Sequence, residues 1–111
     1  MKRPVESNQR KMRMLALIVD GTGTAALSGP DSNQATLTDN GTGDYTITFD
    51  KAFAQVPVCT PVALTADCNV DTFVPAVGSV QVTLVDNTDG TSAKDGDFHI
   101  LIVGADTTSK Y

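Results

Sequence analysis

Residues 44–50 read DYTITFD, which puts Tyr45, Ile47 and Phe49 on one side of an extended chain and Thr46 and Thr48 on the other. A period of two is the signature of a β-strand, in which successive side chains point to opposite faces. Val80, Val82 and Leu84 alternate with Gln81 and Thr83 in the same way. Between such runs stand Asp20-Gly21, Gly29-Pro30, Asn40-Gly41, Asp89-Gly90 and Asp95-Gly96. These dipeptides make tight turns, and the Asn-Gly and Asp-Gly pairs suit turns that need positive φ. No segment has the 3.6-residue apolar period of an amphipathic helix. Short strands broken by closely spaced turns predict an antiparallel sandwich or barrel.

Further strands are expected at residues 98–103 and 13–19, with shorter ones at 24–27, 35–38, 56–65 and 70–74. The run FHILIV at 98–103 is almost continuously apolar, which predicts a strand buried on both faces. The Met, Leu and Ala of segment 13–19 would also allow a helical turn. Pro57 and Pro61 remove ladder donors from VPVCTPVAL, so that segment is expected at a sheet edge or at a bulge. The expected core is Tyr45, Ile47, Phe49, Val80, Val82, Leu84, Phe98, Ile100 and Ile102, with Phe53 plugging one end. A length of 111 residues suits one domain. The chain has no Trp, two Tyr and four Phe. Such a small aromatic supply favours stabilisation by association.

Charge divides the chain. Residues 1–13 hold Lys2, Arg3, Arg10, Lys11 and Arg13 against Glu6, a net of +4. Residues 14–111 hold three cations against twelve carboxylates, a net of −9. This predicts an extended basic arm (1–13) followed by a single acidic β-domain (14–111). The arm cannot bury enough apolar surface to order itself, so it is expected to order against a partner. The acidic body lacks the basic face that nucleic acid requires, and the arm carries no interleaved aromatics to stack on bases. Segment 12–19 is too short for a signal peptide, is interrupted by Arg13 and lacks a small-residue cleavage pattern. No run approaches the ~20 apolar residues of a membrane span. Synthesis in a host cytoplasm without signal-directed export is expected.

The side chains that could carry chemistry have bland readings. His99, the single histidine, alternates with Phe98 and Ile100 and reads as a sheet histidine on the less buried face. No nucleophile motif accompanies it. The pairs Asp67/Asp71, Asp86/Asp89 and Asp95/Asp97 offer oxygen ligands of the kind calcium takes, but without an EF-hand pattern, and Asp favours turns in any case. Cys59 and Cys68 lack a zinc spacing and are expected as two reduced thiols or, alternatively, as a disulfide. Neither a metal, a cofactor nor an enzymatic activity is expected.

The segment NGTGDYTITFDKAFAQVPVCTPVALTAD (40–67) and the closing TSAKDGDFHILIVGAD (91–106) resemble small β-domains of tailed-bacteriophage virion proteins. The Y-x-I-x-F step is also similar, more loosely, to tumour-necrosis-factor-like jelly rolls. The resemblance implies an all-β antiparallel sandwich of jelly-roll type, with an immunoglobulin-like sandwich as the alternative. It implies a capsid decoration (cement) subunit on the particle surface, often trimeric, that meets the major capsid protein or another virion protein. The arm residues Lys2, Arg3, Arg10, Lys11 and Arg13 would make that attachment. The alternative is a receptor- or carbohydrate-binding tip of a tail or head fibre, a role for which few aromatic rings are on offer.

Overall fold

The structure, a computed structural model, describes residues 11–106. Eight strands follow one another in this span: β1 (Met12–Asp20), β2 (Ala26–Ser28), β3 (Ala35–Gly41), β4 (Asp44–Phe49), β5 (Val58–Ala63), β6 (Cys68–Pro75), β7 (Ser79–Asp86) and β8 (Phe98–Ala105). One turn of 3₁₀ helix (Ser32–Gln34) joins β2 to β3. The strands form two four-stranded sheets, ordered β2-β1-β8-β5 and β3-β4-β7-β6, with antiparallel pairing throughout.

The alternation decides what each sheet buries. In the first sheet Leu15 faces Ile102, Leu17 faces Ile100 and Val19 faces Phe98 across the β1–β8 ladder. In the second, Tyr45 faces Val82 and Ile47 faces Val80. These side chains, with Phe49, Leu84, Cys59 and Phe53, form one shared core between the sheets. Burying each large apolar group contributes about 1.5–3 kcal/mol. Every residue of the expected core lies in it, and Phe53 closes one end edge-on to Phe49, with ring centroids 5.2 Å apart. β1 adds Leu15, Leu17 and Val19, and its pairing with β8 settles 13–19 as strand rather than helix.

β5, with Pro61 inside it, is an edge strand as its prolines predict. Segment 98–103 departs from expectation. Phe98, Ile100 and Ile102 are buried, but His99 and Leu101 are exposed. Both faces of β8 are apolar, yet only one is covered, because nothing in the described chain packs on the outside of the first sheet. The arm boundary also moves. Met12 pairs with Ala105 and Arg13 with Gly104, so both are sheet residues rather than part of an arm over 1–13. The expected arm residues Lys2, Arg3 and Arg10 lie outside the described residues.

Turn glycines serve two different needs. Gly29, Gly41 and Gly90 take positive φ, as do Gly23 and Gly43. Gly21 and Gly96 do not. A Cβ on Gly21 would lie 2.2 Å from the Gly96 carbonyl oxygen and 2.3 Å from the Tyr45 hydroxyl, so Gly21 is required by close approach rather than by backbone conformation.

Candidate interaction surface

The two outer faces of the sandwich are built from opposite chemistries. On the second sheet the outward positions of β3, β4 and β7 are mostly threonine and amide side chains, several of which bond to each other, and β6 adds Thr72 and the exposed Val74. Asn40 Nδ2 donates to Thr46 Oγ1 at 2.7 Å, Gln81 Nε2 donates to Asp44 Oδ1 at 2.9 Å, and the Thr72 and Thr83 hydroxyls lie 2.7 Å apart. This face is mostly polar, and part of its hydrogen-bonding capacity is used within the chain.

The outward face of the first sheet is apolar. Three cross-strand rows follow from the register. Met14, Val103 and Val58 form one, Ala16, Leu101 and Thr60 the next, and Ile18, His99 and Val62 the third. Met14 is 60 % exposed, Val58 70 % and Leu101 43 %. Isolated exposed apolar residues are ordinary, but a contiguous sheet of them marks a contact surface. Across these rows no Asp, Glu, Lys or Arg points outward. The small Ala16 and Thr60 on either side of Leu101 leave a shallow concavity of about 320 Å³, lined also by Pro30 and Val62.

One edge of this face is finished by a side chain. β2 pairs with β1 only from Ile18 to Asp20. Beyond it, Asp31 Oδ2 accepts from the Ala16 amide at 2.7 Å, and the Asp31 amide donates to the Ala16 carbonyl at 3.3 Å. Asp31 thus stands in for a strand residue and blunts that stretch of β1 against further pairing.

The basic residues within the described chain divide in role. The Arg13 guanidinium lies over the Phe53 ring, 4.1 Å from its centroid, and Nη2 donates to the Lys51 carbonyl at 2.5 Å. Lys51 pairs with Asp106 at 2.9 Å, and the Asp106 amide donates to the Lys11 carbonyl at 2.8 Å. Arg13 therefore belongs to the closed end of the sandwich. The Lys11 side chain is exposed beside it.

The carboxylate pairs are turn and clamp residues. Asp95 Oδ1 accepts from the Gly43 amide at 2.8 Å and from the Tyr45 hydroxyl at 3.1 Å, while Asp97 Oδ1 accepts from the Gly21 amide at 3.0 Å. Asp89 accepts from Thr91 and Ser92, led by the Ser92 hydroxyl at 2.6 Å, and these bonds hold its carboxyl down at about 2. Asp86 is also held below the usual range, first by the Thr88 amide. Among the described residues no three His, Cys, Asp or Glu side chains gather as a metal site. His99 sits in the apolar rows.

Cys59 and Cys68 lie in different sheets and are both free thiols, so no cross-link joins them. Burial pushes the Cys59 thiol up to about 11 and raises Cys68 as well. Neither is a poised nucleophile. The signal for the apolar face was present in the sequence: 98–103 is apolar in both registers, and Met12, Met14 and Ile18 share the outward register of β1. What it lacked was any indication that this second register stays uncovered.

No protein-family model, curated protein or solved structure matches this chain.

Proposed function

We propose that this chain acts by attachment rather than by catalysis, as a structural subunit that decorates the capsid of a tailed bacteriophage. The observation that carries the reading is the contrast between the outer faces, one mostly polar, the other apolar and uncharged along its three rows. A module that joins an assembly requires a surface of the second kind, and its exposed remainder must stay soluble. The resemblance of segments 40–67 and 91–106 to phage virion β-domains supplies the target. The immunoglobulin-like alternative, rather than the jelly roll, is the finer topology in the proposal. It is supported by the order β3-β4-β7-β6, which keeps the β3–β4 and β6–β7 hairpins in one sheet as in an immunoglobulin A-B-E-D sheet.

In this reading the basic arm docks onto acidic surface of the major capsid protein. An oligomeric subunit carries one such arm per copy, and every contact after the first is then effectively intramolecular, so weak single contacts add to firm attachment. The acidic bodies face outward, where like charge keeps particles apart.

Removal of residues 1–10 leaves β1 whole and tests the reading. Particles assembled with the truncated chain are expected to lose most of their copies, as counted against the major capsid protein on a stained gel. Full occupancy without the arm overturns arm-mediated attachment. A wild-type count of a few dozen copies or fewer per particle, instead of hundreds, overturns decoration in favour of a fibre tip.

A further inference from the structure

We propose that the outward face of the β2-β1-β8-β5 sheet is the contact between copies of this chain. The inference deepens the reading above by assigning a surface to self-association, and it is testable on the free protein.

Size, charge and chemistry point to the same occupant. The β1–β8 ladder runs from Met12 to Val19 against Ala105 to Phe98, and β5 continues the sheet on its far side. At ~3.3 Å per residue and ~4.8 Å between strands, the three strands span about 25 by 15 Å. The projected area is about 375 Å², roughly half of the ~800 Å² each partner contributes to a standard interface before the relief of the side chains is counted.

Charge narrows the choice. The described residues hold four cations against twelve carboxylates, a net of −8. Carboxylates crowd the end of the sandwich that holds Asp20, Asp67, Asp86, Asp89, Asp95 and Asp97, and through Asp44 they reach the threonine face. The closed end gathers Lys11, Arg13 and Lys51 beside Asp50 and Asp106. The rows containing Met14, Leu101 and Ile18 are where two copies can meet without juxtaposing carboxylates. A basic partner would find no carboxylate within these rows to pair with. The complementary surface must itself be apolar and uncharged, and this chain supplies one. Two such sheet faces stack at the ~10 Å spacing of packed sheets, with the small middle row of Ala16 and Thr60 receiving larger side chains from the other copy.

Sedimentation of the purified full chain tests this. Wild type is expected at no less than twice its chain mass of 11.6 kDa. Leu101→Asp is expected to sediment as a monomer with an unchanged far-ultraviolet spectrum. Thr48→Asp, on the opposite outer face, is expected to remain associated. Added salt should strengthen the association, because it screens the repulsion between acidic bodies and does not weaken apolar contact. Should Leu101→Asp fail to fold, the milder Met14→Gln is expected to lower the association constant by at least tenfold. A monomeric wild type, an unaffected Leu101→Asp or Met14→Gln, equal dissociation by Thr48→Asp, or dissociation by salt overturns the proposal. A monomer that still occupies particles would remove this interface and spare the decoration reading. An oligomer that never binds particles would do the reverse.

Discussion

The Tyr45 hydroxyl, at the start of β4, reaches the Gly21 carbonyl oxygen at 3.1 Å, across 24 residues of chain. Asp95 Oδ1 lies 3.1 Å from the same hydroxyl and also accepts from the Gly43 amide. One phenol thus joins the segment after β1, the β3–β4 turn and the β7–β8 connection. Its ring meanwhile packs against Phe98, with centroids 5.8 Å apart. Burial, aided by the neighbouring Asp95, raises the phenol pKa above its ordinary value.

Tyr45→Phe keeps the ring and removes the clamp. It is expected to destabilise the fold by about 1–3 kcal/mol, because the Gly21 carbonyl loses a partner and Asp95 keeps only its amide bond. Urea unfolding followed by circular dichroism measures this. A midpoint equal to wild type would show that the clamp contributes nothing.

Gly21→Ala forces a methyl into the Gly96 carbonyl and the Tyr45 hydroxyl. Backbone cannot move aside as a flexible side chain can, so a loss of about 2–4 kcal/mol is expected, at the upper end of overpacking costs. Gly78→Ala is the control. It has nothing within 4 Å of the new methyl and no positive φ, and it should be neutral or stabilising by up to about 1 kcal/mol. Equal thermal midpoints for the two variants would rule out the close-approach explanation.

Asp89 is held at about 2 by Ser92 and Thr91, below the ~3.9 of an unfolded aspartate. A depressed carboxyl stabilises the native state above its unfolded value, and that contribution fades as pH falls toward the folded value. Asp89→Asn should therefore melt below wild type at neutral pH, with the gap closing between roughly pH 4 and 2. A gap that stays constant across that window would show that the carboxylate's charge is irrelevant to the turn.

Arg13→Ala removes the guanidinium from Phe53 and the bond to the Lys51 carbonyl. A cost of about 1–2 kcal/mol is expected. Arg13→Lys should recover less than half, since a point ammonium does not reproduce the planar stack. The exposed Lys11→Ala should leave the unfolding midpoint unchanged. If Arg13→Ala is as stable as wild type while particle attachment falls, Arg13 is an arm residue after all.

By charge alone Arg13 belongs with Lys2, Arg3, Arg10 and Lys11, because charge along a chain says nothing about which cation meets a ring. Phe53 lies 40 residues away, and only the closed end of the sandwich brings the two together. By local propensity Asp20-Gly21 and Asp95-Gly96 are positive-φ turns. Gly21 and Gly96 instead face each other from distant segments, a crowding that no dipeptide encodes.

Local pattern determined the strands, the side chains that turn inward, and the edge position of β5, because the pleat fixes facing at a period of two and proline cannot donate to a ladder. The outer face of β8 was undetermined by the same pattern. His99, Leu101 and Val103 have one composition whether a layer covers them or not, and that side stays open because the second sheet packs on the opposite face of β8. Burial is a property of what lies opposite a residue, and in an antiparallel sandwich the opposite element comes from far along the chain.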